Sequence, residues 1–362
     1  MKKVTLSLLF VLLPCGGMEI IMKELIINDN EANQRADKFL KKYLDKATQS
    51  FIYKMIRKKN ITLNDKKMSG NEKLCKGDVV KIYFSDETIE KFVSNTNGTP
   101  VQCNADYKDI ERHIVYEDKN VIFFNKPAGM LSQKAKESDH SANEYLLNYM
   151  IKKDEITAAQ LKTFKPSICN RLDRNTSGLL IFGKTLEGLQ TFSNLLSKRD
   201  VHKYYLCIVK GRMTKSDNVK GYLKKDEKNN IVEIYNEIPS EALSDYSPIE
   251  TEYEPLCSNG EYTLLKVLLV TGKTHQIRAH LSSIGHPLVG DTKYGEKKVN
   301  LYFKEKYHLN HQLLHSYRLV FESVEGGLNY LSGREYTAEP DEKFREIQKG
   351  EKLNEYIRNE DS

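Results

Sequence analysis

Apolar residues recur at helical spacing in the first patterned stretch of the chain. Between residues 35 and 59 they fall three or four positions apart, which predicts two short amphipathic helices. Residues 79–84 alternate in character, which is the period of a strand, directly after the turn-forming Lys76-Gly77-Asp78. The apolar positions of the two helices are Phe39, Leu40, Tyr43 and Leu44, followed by Ile52, Met55 and Ile56. The stretch therefore predicts a small unit of two helices and strands.

The pattern changes after residue 112, where strands mix with helices. A helix is expected after Thr185, a good N-cap residue, and another from Thr274 to Ile284, ended by Gly285. Most connections are too short for repeated βαβ crossovers, so we expect a mixed, mostly antiparallel sheet with flanking helices, an α+β fold. The apolar or alternating runs that predict its strands are 114–116, 121–125, 179–182, 201–209 and 262–270.

These changes in pattern divide the chain into five predicted segments. Lys2 and Lys3 precede an apolar run from Val4 to Leu13, which resembles a signal peptide but is too short to span a membrane. Because the rest of the chain has a cytoplasmic character, we interpret this run as a leader or a start codon assigned too early, with the fold beginning at Met22. The segments are 1–21 as leader or mis-assigned start, 22–90 as a small α+β domain, 91–111 as a polar linker, 112–342 as the large domain and 343–362 as a solvated charged tail.

Positive charge is concentrated in the small N-terminal domain. The chain carries 56 basic and 50 acidic residues, a formal net charge of +6. Residues 23–81 contain 15 Lys or Arg and 8 Asp or Glu, so this stretch accounts for the whole excess. Such a local surplus is typical of a surface that binds a nucleic acid. The cations on the second helix and at its end are Lys54, Arg57, Lys58 and Lys59.

The cysteines and histidines do not form a metal-binding pattern. No two of the six cysteines are closely spaced, which argues against a zinc knuckle or a redox pair. His275 and His280 are five residues apart, and no carboxylate cluster accompanies them. Scattered thiols suit a reducing compartment. We therefore expect a cytoplasmic protein without a metal site.

One polar loop followed by an apolar strand is the strongest candidate for chemistry. In the run NRLDRNTSGLLIFGKT, Asp173 lies between Arg171 and Arg174 and shortly before the apolar residues 179–182. Neighbouring arginines keep a carboxylate ionised, and a rigid strand would position it. On the residues alone, a capped turn with a surface salt bridge explains the same pattern, so both interpretations stay open.

The order of motifs resembles a known family. R-L-D-x-x-T-S-G-L-L, which begins at Arg171, resembles the signature of the Rlu-type pseudouridine synthases. The basic N-terminal stretch resembles the alpha-L RNA-binding motif shared with ribosomal protein S-four, through Arg35, Asp37, Leu40 and a later K-x-G-D-x-V. Further matches to the family are NKPAGM at 125–130, HKYYLCIVKG at 202–211, TGKTHQIRAHLSSIGHPLVGDTKYG at 271–295 and LLHSYRLVF at 313–321.

The resemblance implies roles for individual residues. Asp173 corresponds to the family's catalytic aspartate, Tyr205 to the tyrosine that stacks on the target base, and Arg278 to the arginine that pairs with the aspartate. Arg171 corresponds to an arginine that contacts RNA. Many members have His before that arginine, whereas this chain has Asn170, which puts the contact made at that position in doubt.

The resemblance also implies a function. It is the isomerisation of specific uridines to pseudouridine in RNA, most simply large-subunit ribosomal RNA. The glycosidic bond breaks, the base turns, and carbon 5 bonds to the ribose. Uracil leaves as a delocalised anion, so one carboxylate can suffice where glycosidases need two. The aspartate acts either as a nucleophile or as a base.

The same resemblance bears on partners and on rival functions. RNA is the expected partner, with no cofactor, no membrane and a monomeric chain, and the N-terminal domain would anchor the RNA through its phosphates. Two rival functions stay open. One is a non-catalytic RNA-binding assembly factor, which an intact Asp173, Tyr205 and Arg278 disfavours. The other is a synthase that acts on transfer RNA.

Overall fold

The computed structural model describes residues 21–93, 107–136, 138–157, 160–238 and 244–353. The chain divides into two compact units, one formed by Met1–Asn104 with Met150–Pro166 and the other by Ala105–Tyr149 with Ser167–Ser362. The proposed leader, residues 1–21, lies outside the described residues except for Ile21. Within the described ranges, no helix is long and apolar enough to cross a membrane.

The N-terminal unit contains a three-stranded antiparallel sheet and three helices. The sheet order is β1-β3-β2. Both predicted helices are present, and their apolar faces form one core with the strands. The third helix was not predicted; Ser85 caps it by accepting a hydrogen bond from the Thr88 amide. The elements are β1 (Ile21–Ile26), α1 (Ala36–Tyr43), α2 (Gln49–Arg57), β2 (Ile61–Leu63), β3 (Val79–Phe84) and α3 (Asp86–Phe92).

Within the predicted large domain, one segment belongs to the other unit. The sequence assigned all of 112–342 to the large domain, but Met150–Pro166 belongs to the N-terminal unit. There the buried Thr163 hydroxyl donates a hydrogen bond to Glu31, with an oxygen–oxygen distance of 2.7 Å. Nothing in the local sequence signals a contact between residues so far apart.

The larger unit is built on a mixed, mostly antiparallel sheet, as predicted. Its main path runs β10-β9-β11-β12-β8-β13-β7-β5-β4, with β14 added to β13 and β6 added to β7. Among the described strands, only β7 and β13 pair in parallel. The strands are β4 (Ile114–Glu117), β5 (Val121–Lys126), β6 (Ser167–Ile168), β7 (Ser177–Gly183), β8 (Val201–Lys210), β9 (Asp217–Asp226), β10 (Ile231–Tyr235), β11 (Ser247–Ser258), β12 (Tyr262–Leu269), β13 (Leu314–Phe321) and β14 (Arg334–Thr337).

The remaining helices include one that corrects a prediction. Residues 343–362 were expected to be a solvated helix or a frayed end. Glu342–Gly350 is a helix, but it buries Phe344 and Ile347 in a core cluster with Phe303 and Tyr307. The predicted solvation is therefore wrong up to Leu353, which is also buried, and residues 354–362 lie outside the described residues. The helices are α4 (Ala142–Lys152), α5 (Leu186–Lys198), α6 (Gln276–Ser283), α7 (Lys297–Tyr307) and α8 (Glu342–Gly350).

The start of α6 also differs from the prediction. The sequence favoured Thr274, but the helix begins at Gln276 because His275 has a left-handed backbone, with φ of 53°. A right-handed helix cannot include such a residue. The N-cap of α5 is as predicted, since the Thr185 hydroxyl accepts a hydrogen bond from the Gly188 amide.

Candidate active site

The loop that joins β6 to β7 carries Asp173, and neighbouring residues fix it on both sides. The buried Ser132 hydroxyl accepts a hydrogen bond from the Leu172 amide at 3.0 Å and donates one to the Leu172 carbonyl at 2.8 Å. On the other side, the Gly129 amide donates to the Arg174 carbonyl at 2.9 Å. The NKPAGM segment and the residues after it therefore hold the backbone around Asp173.

A buried lysine reinforces this arrangement. Lys126, the last residue of β5, is 0% exposed, and its Nζ donates to the carbonyls of Pro127, Met130 and Arg174 at 2.9–3.1 Å. Three carbonyl acceptors suit an ammonium group. Burial nevertheless lowers its pKa to about 7, and the negative charge of Asp173 acts in the opposite direction. Lys126 thus ties two chain segments together close to the carboxylate.

The end of the loop is fixed by β13. The Ser177 hydroxyl contacts Nδ1 of His315 at 2.8 Å, and Nε2 of His315 contacts the Ala338 carbonyl at 2.8 Å. Gly178 has φ of 106°, and a β-carbon there would lie 2.2 Å from the Ser316 carbonyl oxygen. Only glycine therefore allows the two parallel strands to approach at this point. The Ser-Gly pair of the signature serves strand packing.

Asp173 forms one end of a chain of three charges. Nη1 of Arg278 donates to Oδ2 of Asp173 at 2.8 Å, so the salt bridge implied by the resemblance is present. The rest of the guanidinium is held by Asp291, through Nε to Oδ2 at 2.7 Å and Nη2 to Oδ1 at 2.9 Å. Asp291 is 0% exposed, and its Oδ1 also accepts the amides of Lys293 and Tyr294. These bonds to Arg278 and to the backbone hold the pKa of Asp291 below its usual value although burial acts to raise it.

His275 forms the remaining wall beside the carboxylate. Its Nδ1 lies 3.0 Å from the Tyr294 hydroxyl, and its Nε2 lies 3.9 Å from Oδ2 of Asp173. Tyr294 already accepts the Val232 amide, so its proton is free for Nδ1, which leaves the Nε2 hydrogen directed toward Asp173. Burial lowers the pKa of His275, which favours the neutral ring. Oδ2 of Asp173 is thus engaged, and no described residue donates a hydrogen bond to Oδ1.

Tyr205 lies in β8 between its partners Val267 of β12 and Ser316 of β13. Its side chain is buried, and burial, with a contribution from the charge of Asp173, raises the pKa of its hydroxyl to about 12. The hydroxyl therefore stays protonated near neutral pH. Tyr204 points to the opposite face by strand alternation, where its ring packs against the Arg318 guanidinium. The two tyrosines thus face opposite sides of β8, and the stacking role of Tyr205 stays a prediction.

The predicted RNA-contacting residues fall in two places. Arg171 is exposed on the Asp173 loop, whereas the cations of α2 lie exposed in the N-terminal unit. Asn170 occupies the position at which many family members have histidine, and its contact is with the backbone. Its side-chain oxygen accepts a hydrogen bond from the Ile181 amide at 2.8 Å and so extends the β6–β7 pairing by one residue. The cations of α2 and its end, all exposed, are Lys54, Arg57, Lys58 and Lys59.

The sequence did not single out Asp291 or Lys126, and it considered His275 only as a metal ligand. Each lies inside a matched motif. Lys126 and His275 contact residues of the distant Asp173 loop, whereas Asp291 pairs with Arg278 of its own motif, and no spacing rule predicts either kind of contact. His280 does not join them and contacts Thr251 instead. Among the described residues, no group of three His, Cys, Asp or Glu side chains could hold a metal ion.

The geometry limits the chemistry that this site can perform. Asp173 is partly exposed, with 26% of its side chain accessible, and has one oxygen without a hydrogen-bond donor. Asp291 is committed to Arg278 and buried, so it cannot act as a second, acidic carboxylate. A single carboxylate suits a leaving group that needs no protonation by the enzyme.

Comparison with known proteins gives consistent matches. Residues 120–283 match the model of a family described as RNA pseudouridylate synthase. The chain is 30% identical over 297 residues to a ribosomal large subunit pseudouridine synthase C of Vibrio vulnificus, covering 82% of this chain and 87% of that protein. It is 32% identical over 310 residues to the Buchnera aphidicola protein of the same name, with 82% and 88% covered. Human RNA Pseudouridylate Synthase Domain Containing 4 has a similar fold, with a TM-score of 0.54, 20% identity, and 68% and 95% of the two chains covered.

Proposed function

Because this chain belongs to the RNA pseudouridylate synthase family, we propose that it isomerises specific uridines of large-subunit ribosomal RNA, with Asp173 as the catalytic carboxylate. The RNA substrate follows from the family, and the ribosomal substrate is suggested by the names of relatives that cover most of their own length. We propose further that the protein acts as a cytoplasmic monomer without a cofactor.

The observation that supports this function best is the single carboxylate held by Arg278. An arginine that is itself neutralised by Asp291 orients Asp173 without leaving a surplus of buried positive charge. With Oδ2 bonded to Arg278, Oδ1 is the oxygen available to attack the ribose carbon or to take a ribose proton. Both routes release uracil as an anion that rebonds through carbon 5.

Tyr205 supplies the second requirement of the reaction. A detached uracil must be retained in a site that excludes water while it turns. We propose that the Tyr205 ring stacks on it, since the ring is buried in the central sheet and near Asp173. The target nucleotide must leave its stack to reach such a site, as in other base-modifying enzymes.

The N-terminal unit supports binding rather than chemistry. We propose that it is an S-four-type RNA-binding domain that anchors RNA through the exposed cations of α2, because a basic surface binds phosphates without reading sequence. Arg171, exposed two residues from Asp173, would contact RNA beside the target nucleotide.

The experiment is pseudouridine mapping of ribosomal and transfer RNA from a strain without this protein, complemented with wild type or with Asp173→Asn. We expect discrete large-subunit sites to lose pseudouridine, and only wild type to restore them. Loss confined to transfer RNA would contradict the ribosomal substrate. Full restoration by Asp173→Asn would contradict the catalytic role and favour the non-catalytic assembly factor.

A further inference from the structure

A group of cations lies where the central strand β8 begins, outside the charge chain of the active site. Lys203 is near the start of β8, and its Nζ is so close to Gly272 that a β-carbon there would lie 3.4 Å away. Lys273 follows directly in the same loop before α6. Arg199, the left-handed C-cap of α5, is near enough for its charge to act on Lys203. The end of α5 and the start of β8 thus bring two cations together, and the loop before α6 carries a third cation, Lys273, next to Gly272.

Strand geometry relates this group to Tyr205. Side chains two positions apart on a strand point to the same face, about 6.6 Å from one another. Lys203 and Tyr205 therefore share the face of β8 on which Tyr205 is near Asp173. A base stacked on Tyr205 would bring the sugar-phosphate backbone of its own or a neighbouring nucleotide within reach of Lys203.

The charges of this group are not balanced by the described residues. Lys203 is half-buried, and among the described residues neither it nor Arg199 nor Lys273 has a side-chain salt bridge. Burial, with a smaller contribution from Arg199, lowers the pKa of Lys203, so its charged form is disfavoured as the site stands. The charge of Arg199 also acts on Glu250, but the Glu250 carboxylate already accepts a hydrogen bond from Asn218 and pairs with Lys220. An anionic ligand would relieve this cost.

We propose that Lys203, with Arg199 near it and Lys273 in the adjacent loop, binds a backbone phosphate of the RNA next to the target uridine. Gly272 contributes by leaving room for the phosphate oxygens, because it has no side chain above Nζ of Lys203. The contact would position the flipped nucleotide and would not read sequence. This inference rests on the proposed function, since it takes the substrate to be RNA and Tyr205 to hold the base.

The test combines variants of the enzyme with single neutral phosphates in the substrate. Lys203→Met removes the charge, Lys203→Arg keeps it, and Lys304→Met is the matched control at an exposed lysine of α7. RNA fragments containing one mapped target uridine would carry a methylphosphonate at one position in turn around that uridine. Affinity and single-turnover pseudouridine formation would be measured for each pair at several salt concentrations.

We expect one methylphosphonate near the target to lower the affinity of wild type for the RNA about tenfold. The same methylphosphonate should change the affinity of Lys203→Met little. The logarithmic salt slope of Lys203→Met should be shallower by about 0.7 for a single-stranded contact, and Lys203→Arg should restore it. If every methylphosphonate weakens Lys203→Met as much as wild type, or if Lys304→Met has the same defect, the phosphate site is wrong. Absence of product from wild type on every RNA would instead contradict the proposed function.

Discussion

Arg278→Met tests the chain of three charges at the centre of the site. The guanidinium is 5% exposed and uses three nitrogens, two on Asp291 and one on Asp173. Among the described residues, methionine would leave the fully buried Asp291 carboxylate with two backbone donors alone. Removing one partner of a buried pair costs about 3–5 kcal/mol, so we expect the free energy of unfolding at pH 7 to fall by about that amount.

The pH dependence gives a second measurement. In wild type the pKa of Asp291 is lower in the folded than in the unfolded protein. The ionised carboxylate therefore stabilises the fold at pH values above the unfolded pKa, and this stabilisation is lost as the pH falls through the folded pKa. In Arg278→Met, burial without the cation should raise the pKa of Asp291 above the unfolded value. The destabilisation caused by the buried, unpaired Asp291 carboxylate is then present above the raised pKa and disappears as the pH falls below it. The stability gap between the two proteins should therefore narrow as the pH falls toward about 4.

The assay is urea unfolding followed by circular dichroism, because the chain contains no tryptophan for fluorescence. Arg278→Met with Asp291→Asn should be more stable than Arg278→Met alone, since the second change removes the unpaired buried charge. Arg112→Met, at a guanidinium with 81% exposure, is the control and should change stability little. A loss below about 1 kcal/mol for Arg278→Met, or no gain in the double variant, would refute the reasoning.

Three further predictions concern separate parts of the chain. Tyr205→Phe keeps the ring and should slow single-turnover pseudouridine formation far less than Tyr205→Ala; equal rates for the two variants would remove the stacking role. Replacing the exposed cations Lys54, Arg57, Lys58 and Lys59 by Gln should weaken RNA binding and flatten its salt dependence by about 0.7–0.9 per lost phosphate contact, and an unchanged slope would contradict the anchoring role. The pKa of Lys126 is about 7 in the folded protein and 10.5 for an ordinary lysine, so between these pH values the unfolded chain binds more protons than the folded one. The stability of wild type relative to Lys126→Met should therefore rise from pH 7 to about pH 9.5 in urea unfolding, and a flat difference would show that the ammonium is not disfavoured by burial.

The sequence by itself determined most of the elements and pointed to a candidate for the reacting group. Alternating and helical spacings depend only on neighbours along the chain, so the strands at 121–125 and 179–182 and the cap at Thr185 could be predicted. The order of the motifs pointed to Asp173 as the candidate catalytic carboxylate, and this role stays a prediction. The same spacings could not show that the helix at 342–350 packs against a core, because most of its residues are charged or polar and only Phe344 and Ile347 are large and apolar.

The tertiary structure decided how the carboxylate is held. Arg278 is 105 residues from Asp173 in the chain, and the Lys126 ammonium is 48 residues from the carbonyl that it contacts beside Asp173. Asp291, His275 and Lys203 are ordinary polar residues in the sequence, and their burial and partners depend on which strands become neighbours. Protonation and charge balance in a low-dielectric site depend on distances of a few ångströms in space, which sequence separation does not determine.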